Sequence, residues 1–208
     1  MKDTSLKEHW NKVYSGSPEN ELGWYETDLS PMLKLLSKTD LNESSRILNV
    51  GAGSTTLVDE LLKQGYSNVI ATDISGIALK NLENRVGNDK VEFIVDDLVN
   101  PSQLKNLEQV DIWIDRAVLH FFTKGSEQKM YFDLLKSLVT DAGYAILAEF
   151  NLEGAERCSG LPVQRYSQEM FNEKLGKDFE LVDCFNHTYV MPSGAERPYI
   201  YALYKRII

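Results

Sequence analysis

The chain has 208 residues, a net charge of -9 and 43% hydrophobic residues, enough to bury one ordinary core without disulfide or metal staples. Its negative field repels phosphate backbones and so disfavours a general nucleic-acid partner. Two cysteines, Cys158 and Cys184, lie far apart without metal-ligand spacing, and MKDTSLKEHWNK lacks the apolar centre of a signal peptide. With no apolar run of bilayer length, the expectation is a soluble cytoplasmic protein without metal or membrane span.

No repeat, low-complexity tract or linker divides the chain, so one domain is expected, with residues 1–29 as an arm and 30–208 as the core. Met32, Leu35 and Leu36 have helical spacing behind Pro31, which suits a first helical turn. Strands are then expected at Ile47–Val50, Asn68–Thr72, Val91–Val95, Val110–Asp115 and Gly143–Phe150, and helices at Thr56–Gln64, Gly76–Arg85, Pro101–Leu107 and Glu127–Thr140. This alternation predicts an α/β fold, a Rossmann-like doubly wound sheet that is mostly parallel. Phe179–Val190 and Tyr199–Arg206 are joined by the turn-rich MPSGAERP with no helix between them, which predicts a C-terminal antiparallel hairpin.

The first strand runs into Gly51-Ala52-Gly53, and the second ends on Asp73. Glycine at such a turn lets the backbone approach a ligand, and the following helix aims free N–H groups at it. A carboxylate at Asp73 can accept from both hydroxyls of a ribose. A dinucleotide site would carry a third glycine where this run continues Ser54-Thr55-Thr56, and the Gly-Lys-Ser/Thr ending of a phosphate loop is also absent. A phosphate-free adenosine cofactor fits better.

On these residues the chain resembles the class I S-adenosylmethionine-dependent methyltransferases, including a bacterial group of small members with unassigned acceptors. The resemblance implies S-adenosylmethionine as cofactor and a small-molecule or protein side-chain acceptor. An NAD-dependent oxidoreductase is the competing class, and a cofactor-binding protein without transfer activity a third.

The resemblance further implies a cofactor site formed by Gly51, Ala52, Gly53, Asp73, Ile74 and Ser75, with Asp97 on the adenine amine and Leu98 against its ring. Asp96 and Asp97 have a second reading as caps of the next turn. Asn49 stands where the family commonly has an acid near the methionine ammonium. Its amide oxygen can still accept, and the role can pass to Asp115. Asp115 can alternatively pair with Arg116, and Arg116 with the cofactor carboxylate. His120 is a candidate general base beside Asp115, or a packed histidine. Trp10, Tyr14, Trp24 and Tyr25 in the arm either cover the sulfonium or anchor the arm. Cys158 with His187 has two readings, a reactive pair or a buried thiol and a strand histidine. Arg157, Arg165 and Arg197 either bind an acidic acceptor or solvate loops.

Overall fold

A computed structural model describes residues 5–87 and 89–207. The arm begins with helix α1 (Leu6–Gly16), whose start is closed by a reciprocal cap. Ser5 Oγ accepts from the Glu8 N–H, and the Glu8 carboxylate accepts from the Ser5 N–H. Helix α2 (Ser30–Leu36) follows, with Pro31 in its first turn.

The alternating region comprises β1 (Arg46–Val50), α3 (Leu57–Lys63), β2 (Asn68–Asp73), α4 (Gly76–Val86), β3 (Val91–Val95), β4 (Val110–Arg116), α5 (Gly125–Leu138) and β5 (Val139–Phe150). A two-residue pair follows, β6 (Arg157–Cys158) with β7 (Leu161–Pro162), then α6 (Gln168–Leu175), β8 (Phe179–Val190) and β9 (Glu196–Arg206). The main sheet runs β3-β2-β1-β4-β5-β9-β8, parallel from β3 to β5 and antiparallel where β9 joins β5 and β8. The expected fold class, terminal hairpin included, is the observed one.

The central strands are apolar on both faces because helices cover both. Leu48, Val50 and Trp113 pack with Phe132 and Leu135 of α5 and Phe171 of α6. Ile47, Ile112 and Ile114 pack instead with Leu35 of α2, Val58 of α3 and Leu82 of α4. Neighbouring residues of one strand thus feed opposite layers.

The expected helix over Pro101–Leu107 is absent apart from a single 3-10 turn at Leu104–Asn106. The buried Asp96 carboxylate explains this by accepting from the Ser102, Gln103 and Leu104 N–H groups and from Ser102 Oγ, at 2.8–3.0 Å. These bonds hold Asp96 below the ordinary carboxylate pKa despite its partial burial. β5 starts earlier than expected, and Ala142 there takes a left-handed φ of 63°.

The strand order reverses between β1 and β4, so their carboxyl ends diverge and leave a crevice. Both cavities described below open there. Among the described residues, no helix is long and apolar enough to cross a membrane.

Candidate cofactor and acceptor site

The turn after β1 is built around two left-handed glycines, Gly51 at φ 54° and Gly53 at φ 53°. A Cβ on Gly51 would stand 2.0 Å from Cγ2 of Val118, and one on Gly53 would stand 2.3 Å from the Tyr14 hydroxyl. The turn therefore requires glycine for conformation and for space alike. Asp73, at the end of β2, accepts from the Gly53 and Ser75 N–H groups, each at 2.8 Å. Burial pushes its pKa up to about 6, and these backbone bonds oppose the rise.

Two cavities meet at Gly51, Trp24 and Arg116. The first, about 790 Å³ with its mouth included, has Asp73, Ile74, Asp97 and Leu98 along one side, from the ends of β2 and β3. Trp10 and Tyr14 of α1 stand across from them, and Val118, Phe121 and Cys158 complete the wall. The second, about 560 Å³, includes Tyr25, Glu26, Asn49 and Ala52.

The arm aromatics form a continuous cluster. Trp10 meets Trp24 and Phe121 edge-on at ring distances of 5.4 and 5.0 Å, and Trp24 Nε1 donates to the Tyr14 hydroxyl. The arm is thus anchored to the domain, and the same side chains wall the cavities. Beyond Tyr14, Leu22 and Ala78 are buried in this layer.

The second cavity contains two buried polar atoms without partners. Asn49 donates from Nδ2 to the Ile114 carbonyl, which leaves Oδ1 unpaired, and Nη2 of Arg116 is likewise unpaired. An unsatisfied acceptor near an unsatisfied cationic donor suits the ammonium and carboxylate of an α-amino acid group.

Arg116 pairs with Glu26, Nε to Oε2 at 3.0 Å, and donates to the Trp24 carbonyl and the Tyr201 hydroxyl. Its guanidinium lies 4.7 Å from the Tyr189 ring centre and 5.1 Å from that of Tyr199. The sequence reading missed Glu26, although the acid in GWYETD sits directly beside the arm aromatics.

Asp115 differs from both roles expected of it. Its carboxylate is wholly buried and lines neither cavity. It accepts from the Val118 and Leu119 N–H groups at 3.1 Å and from the Tyr131 hydroxyl at 2.6 Å, and it makes no pair with Arg116. The reason is the alternation of β4, which turns Arg116 toward the crevice and its neighbour inward. His120 is also wholly buried and outside the cavity walls, stacked on Phe150 at 4.7 Å with Nδ1 2.8 Å from Glu149 Oε2. Direct proton exchange between His120 and an acceptor in either cavity is excluded in this arrangement.

Gly53 and Ser75 shape the site from behind its walls. Ser75 caps α4 by accepting from the Ala78 N–H and donates to Asn11. Asp97 borders the first cavity and also accepts from the Val99 N–H. Cys158 and His187 do not meet, since His187 packs on Tyr201. Arg157, Arg165 and Arg197 donate to backbone carbonyls of their own or adjoining loops.

The site can be set beside known proteins. Residues 47–143 match a family model described as a methyltransferase domain. The chain is a class I S-adenosylmethionine-dependent methyltransferase.

The methyltransferase is 24% identical over 161 residues to EEF1A lysine methyltransferase 2 of Danio rerio, covering 70% of this chain and 68% of the relative. Its fold matches a SAM-dependent methyltransferase from Anabaena variabilis with a TM-score of 0.78 at 16% identity, over 96% and 93% of the two chains. It also matches the 1,6-didemethyltoxoflavin-N1-methyltransferase of Burkholderia thailandensis, with bound S-adenosylhomocysteine, at a TM-score of 0.66 and 19% identity over 88% and 80%. The methyltransferase uses S-adenosylmethionine and transfers its methyl group to a small-molecule or protein acceptor. The nicotinamide and non-catalytic alternatives give way to this reading.

Proposed function

We propose that this methyltransferase acts on an amine, the side chain of a protein lysine. The observation carrying the reading is the charge of the two cavities. Arg116 is the one basic side chain among their described linings, and Glu26 neutralises it, while Asp73, Asp96 and Asp97 border the first cavity. With a net charge of -9, this surface attracts cationic acceptors and repels anionic ones. The aromatic rings of Trp10, Trp24 and Phe121 favour a cation at their faces. The Danio rerio relative, named a lysine methyltransferase, supports the same class.

In this reading Asp73 holds the ribose, Asp97 and Leu98 the adenine, and Asn49 and Arg116 the amino-acid end. Gly51 and Gly53 allow the close approach, with Ala52 and Ile74 along the path and Ser75 fixing the start of α4. Trp10, Tyr14, Trp24 and Tyr25 exclude water. When bound, S-adenosylmethionine supplies a methyl group on a sulfonium, an electrophile that needs no enzyme nucleophile. The protein contributes alignment and a dry environment, and the acceptor attacks as the neutral amine after giving its proton to solvent. The free thiols Cys158 and Cys184 support placement in the reducing cytoplasm.

The test supplies labelled S-adenosylmethionine with cell extract and with panels of small amines and thiols, followed by mass spectrometry of the hydrolysed protein fraction. Methyl-lysine in protein supports the proposal. Label confined to small molecules or to thiols overturns it.

A further inference from the structure

Behind the cavity wall lies a group of buried polar side chains that lines neither cavity. β4 and β5 are parallel neighbours in which Asp115 is registered with Leu147, so Glu149, two residues further on, projects from the same face as Leu147. Asp115 and Glu149 are wholly buried, and their carboxyl groups converge on three consecutive backbone N–H groups, with Glu149 Oε1 left without a hydrogen-bond partner. Two carboxyl groups brought this close out of water keep a proton between them, because adjacent buried anions repel.

Both reach the same loop. Asp115 accepts from the N–H groups of Val118 and Leu119, and Glu149 from the N–H of His120 at 3.3 Å. The loop is unusual in itself: Ala117 holds a left-handed φ of 67°. Its outward side is part of the site, because Val118 and Phe121 wall the first cavity and Val118 fills the space a Gly51 side chain would take.

We propose that Asp115 and Glu149 are positioning residues for methyl transfer, a proton-sharing carboxyl pair that fixes the 117–121 loop and through it the Val118 and Phe121 wall of the cofactor cavity. Every element packed on the pair contributes a facing group. Tyr131 of α5 donates its hydroxyl to Asp115, the ring of His120 lies against Glu149, and the buried Tyr166 hydroxyl carries no partner of its own.

The consequence is a pH dependence. Burial pushes the Glu149 pKa up to about 8, and burial followed by the Glu149 charge raises that of Asp115. Below this value the pair keeps its proton and the loop is held. Above it two adjacent buried anions repel, and the loop loses its anchor.

Calorimetric titration of the full chain with S-adenosylhomocysteine between pH 6.5 and 9.5 tests this, comparing wild type with Glu149→Gln. The amide mimics the protonated acid, donating to Asp115 while still accepting from His120, and has no proton to lose. The ligand's own amino group titrates identically against both proteins, so only the difference between the profiles is read. Wild-type affinity is expected to fall about tenfold more than that of Glu149→Gln above pH 8, with affinities within about twofold at pH 7.

Hydrogen exchange of the ligand-free wild type supplies a second readout, with protection of the 118–120 amides expected to fall about tenfold over the same range. Asp115→Asn carries the same prediction as Glu149→Gln should the latter fail to fold. Parallel binding profiles, or wild-type protection unchanged to pH 9.5, would overturn the proposal.

Discussion

The backbone N–H of Gly53 donates to Oδ2 of Asp73 at 2.8 Å, joining the turn after β1 to the end of β2. One bond thus fixes the two features on which adenosine recognition depends. Burial pushes the pKa of this carboxylate up to about 6, and the Gly53 bond opposes the rise.

Asp73 binds a proton more tightly folded than unfolded, so ligand-free stability should fall as pH rises from about 4 to 6. A shift of this size corresponds to roughly 3 kcal/mol, read from denaturant midpoints across that range. Ribose hydroxyls donate to the ionised form, so affinity for S-adenosylmethionine should instead weaken below pH 6. Asp73→Asn should lower affinity at least tenfold and flatten both acid-side trends. A variant profile that still tracks wild type would remove Asp73 from the ribose role.

Gly51→Ala and Gly53→Ala should differ in kind. The Gly51 Cβ would meet Val118, held by the loop beneath it, whereas the Gly53 Cβ would meet the far end of the Tyr14 side chain on α1. Both pay for positive φ, by about 1 kcal/mol. Gly51→Ala should lose a further 1–3 kcal/mol from overpacking and abolish cofactor binding. Gly53→Ala should stay folded, displace the arm and raise the cofactor Kd. Thermal melts paired with calorimetry separate the two cases.

Removing the guanidinium in Arg116→Ala leaves Glu26 buried without its cation, expected to cost about 3–5 kcal/mol. Replacing both partners in Arg116→Met with Glu26→Gln should cost clearly less, because no uncompensated charge remains. A double-mutant cycle on denaturant midpoints checks this. Cofactor affinity should fall in both, since the unpaired Nη2 is lost either way.

Tyr131→Phe deletes a hydroxyl that donates to Asp115 and accepts from Trp113 Nε1 at 3.0 Å. Two buried groups lose a partner together, and the expected destabilisation is about 2–4 kcal/mol. Far-ultraviolet circular dichroism at 25 °C should stay native while the melting temperature drops. An unchanged melting temperature would show that the polar group behind the loop carries no structural weight.

Much of this architecture was legible because it follows from local periodicity. The apolar runs at 47–50, 68–72 and 91–95 became strands nearly residue for residue, and the helix-free tail became the antiparallel pair. Helix α1 was legible but unread, since Ser5-Leu6-Lys7-Glu8 has the spacing of a reciprocal cap. The helix near Pro101 is lost to Asp96, at the end of the preceding strand, whose second reading as a cap of the next turn is the one the structure shows.

By itself, then, the sequence determined the sheet order class, the glycine turn and the carboxylate at Asp73, all properties of spacing within one βαβ unit. Only the tertiary structure decided the partners of the polar residues. Arg116 reaches Glu26 in the arm instead of adjacent Asp115 because alternate strand residues face opposite sides. Asp115 meets Glu149 because parallel pairing of β4 with β5 sets their register. Burial then turns Asp115 from a site candidate into a support of the loop, since a charge out of water must find its partners wherever the fold brings them.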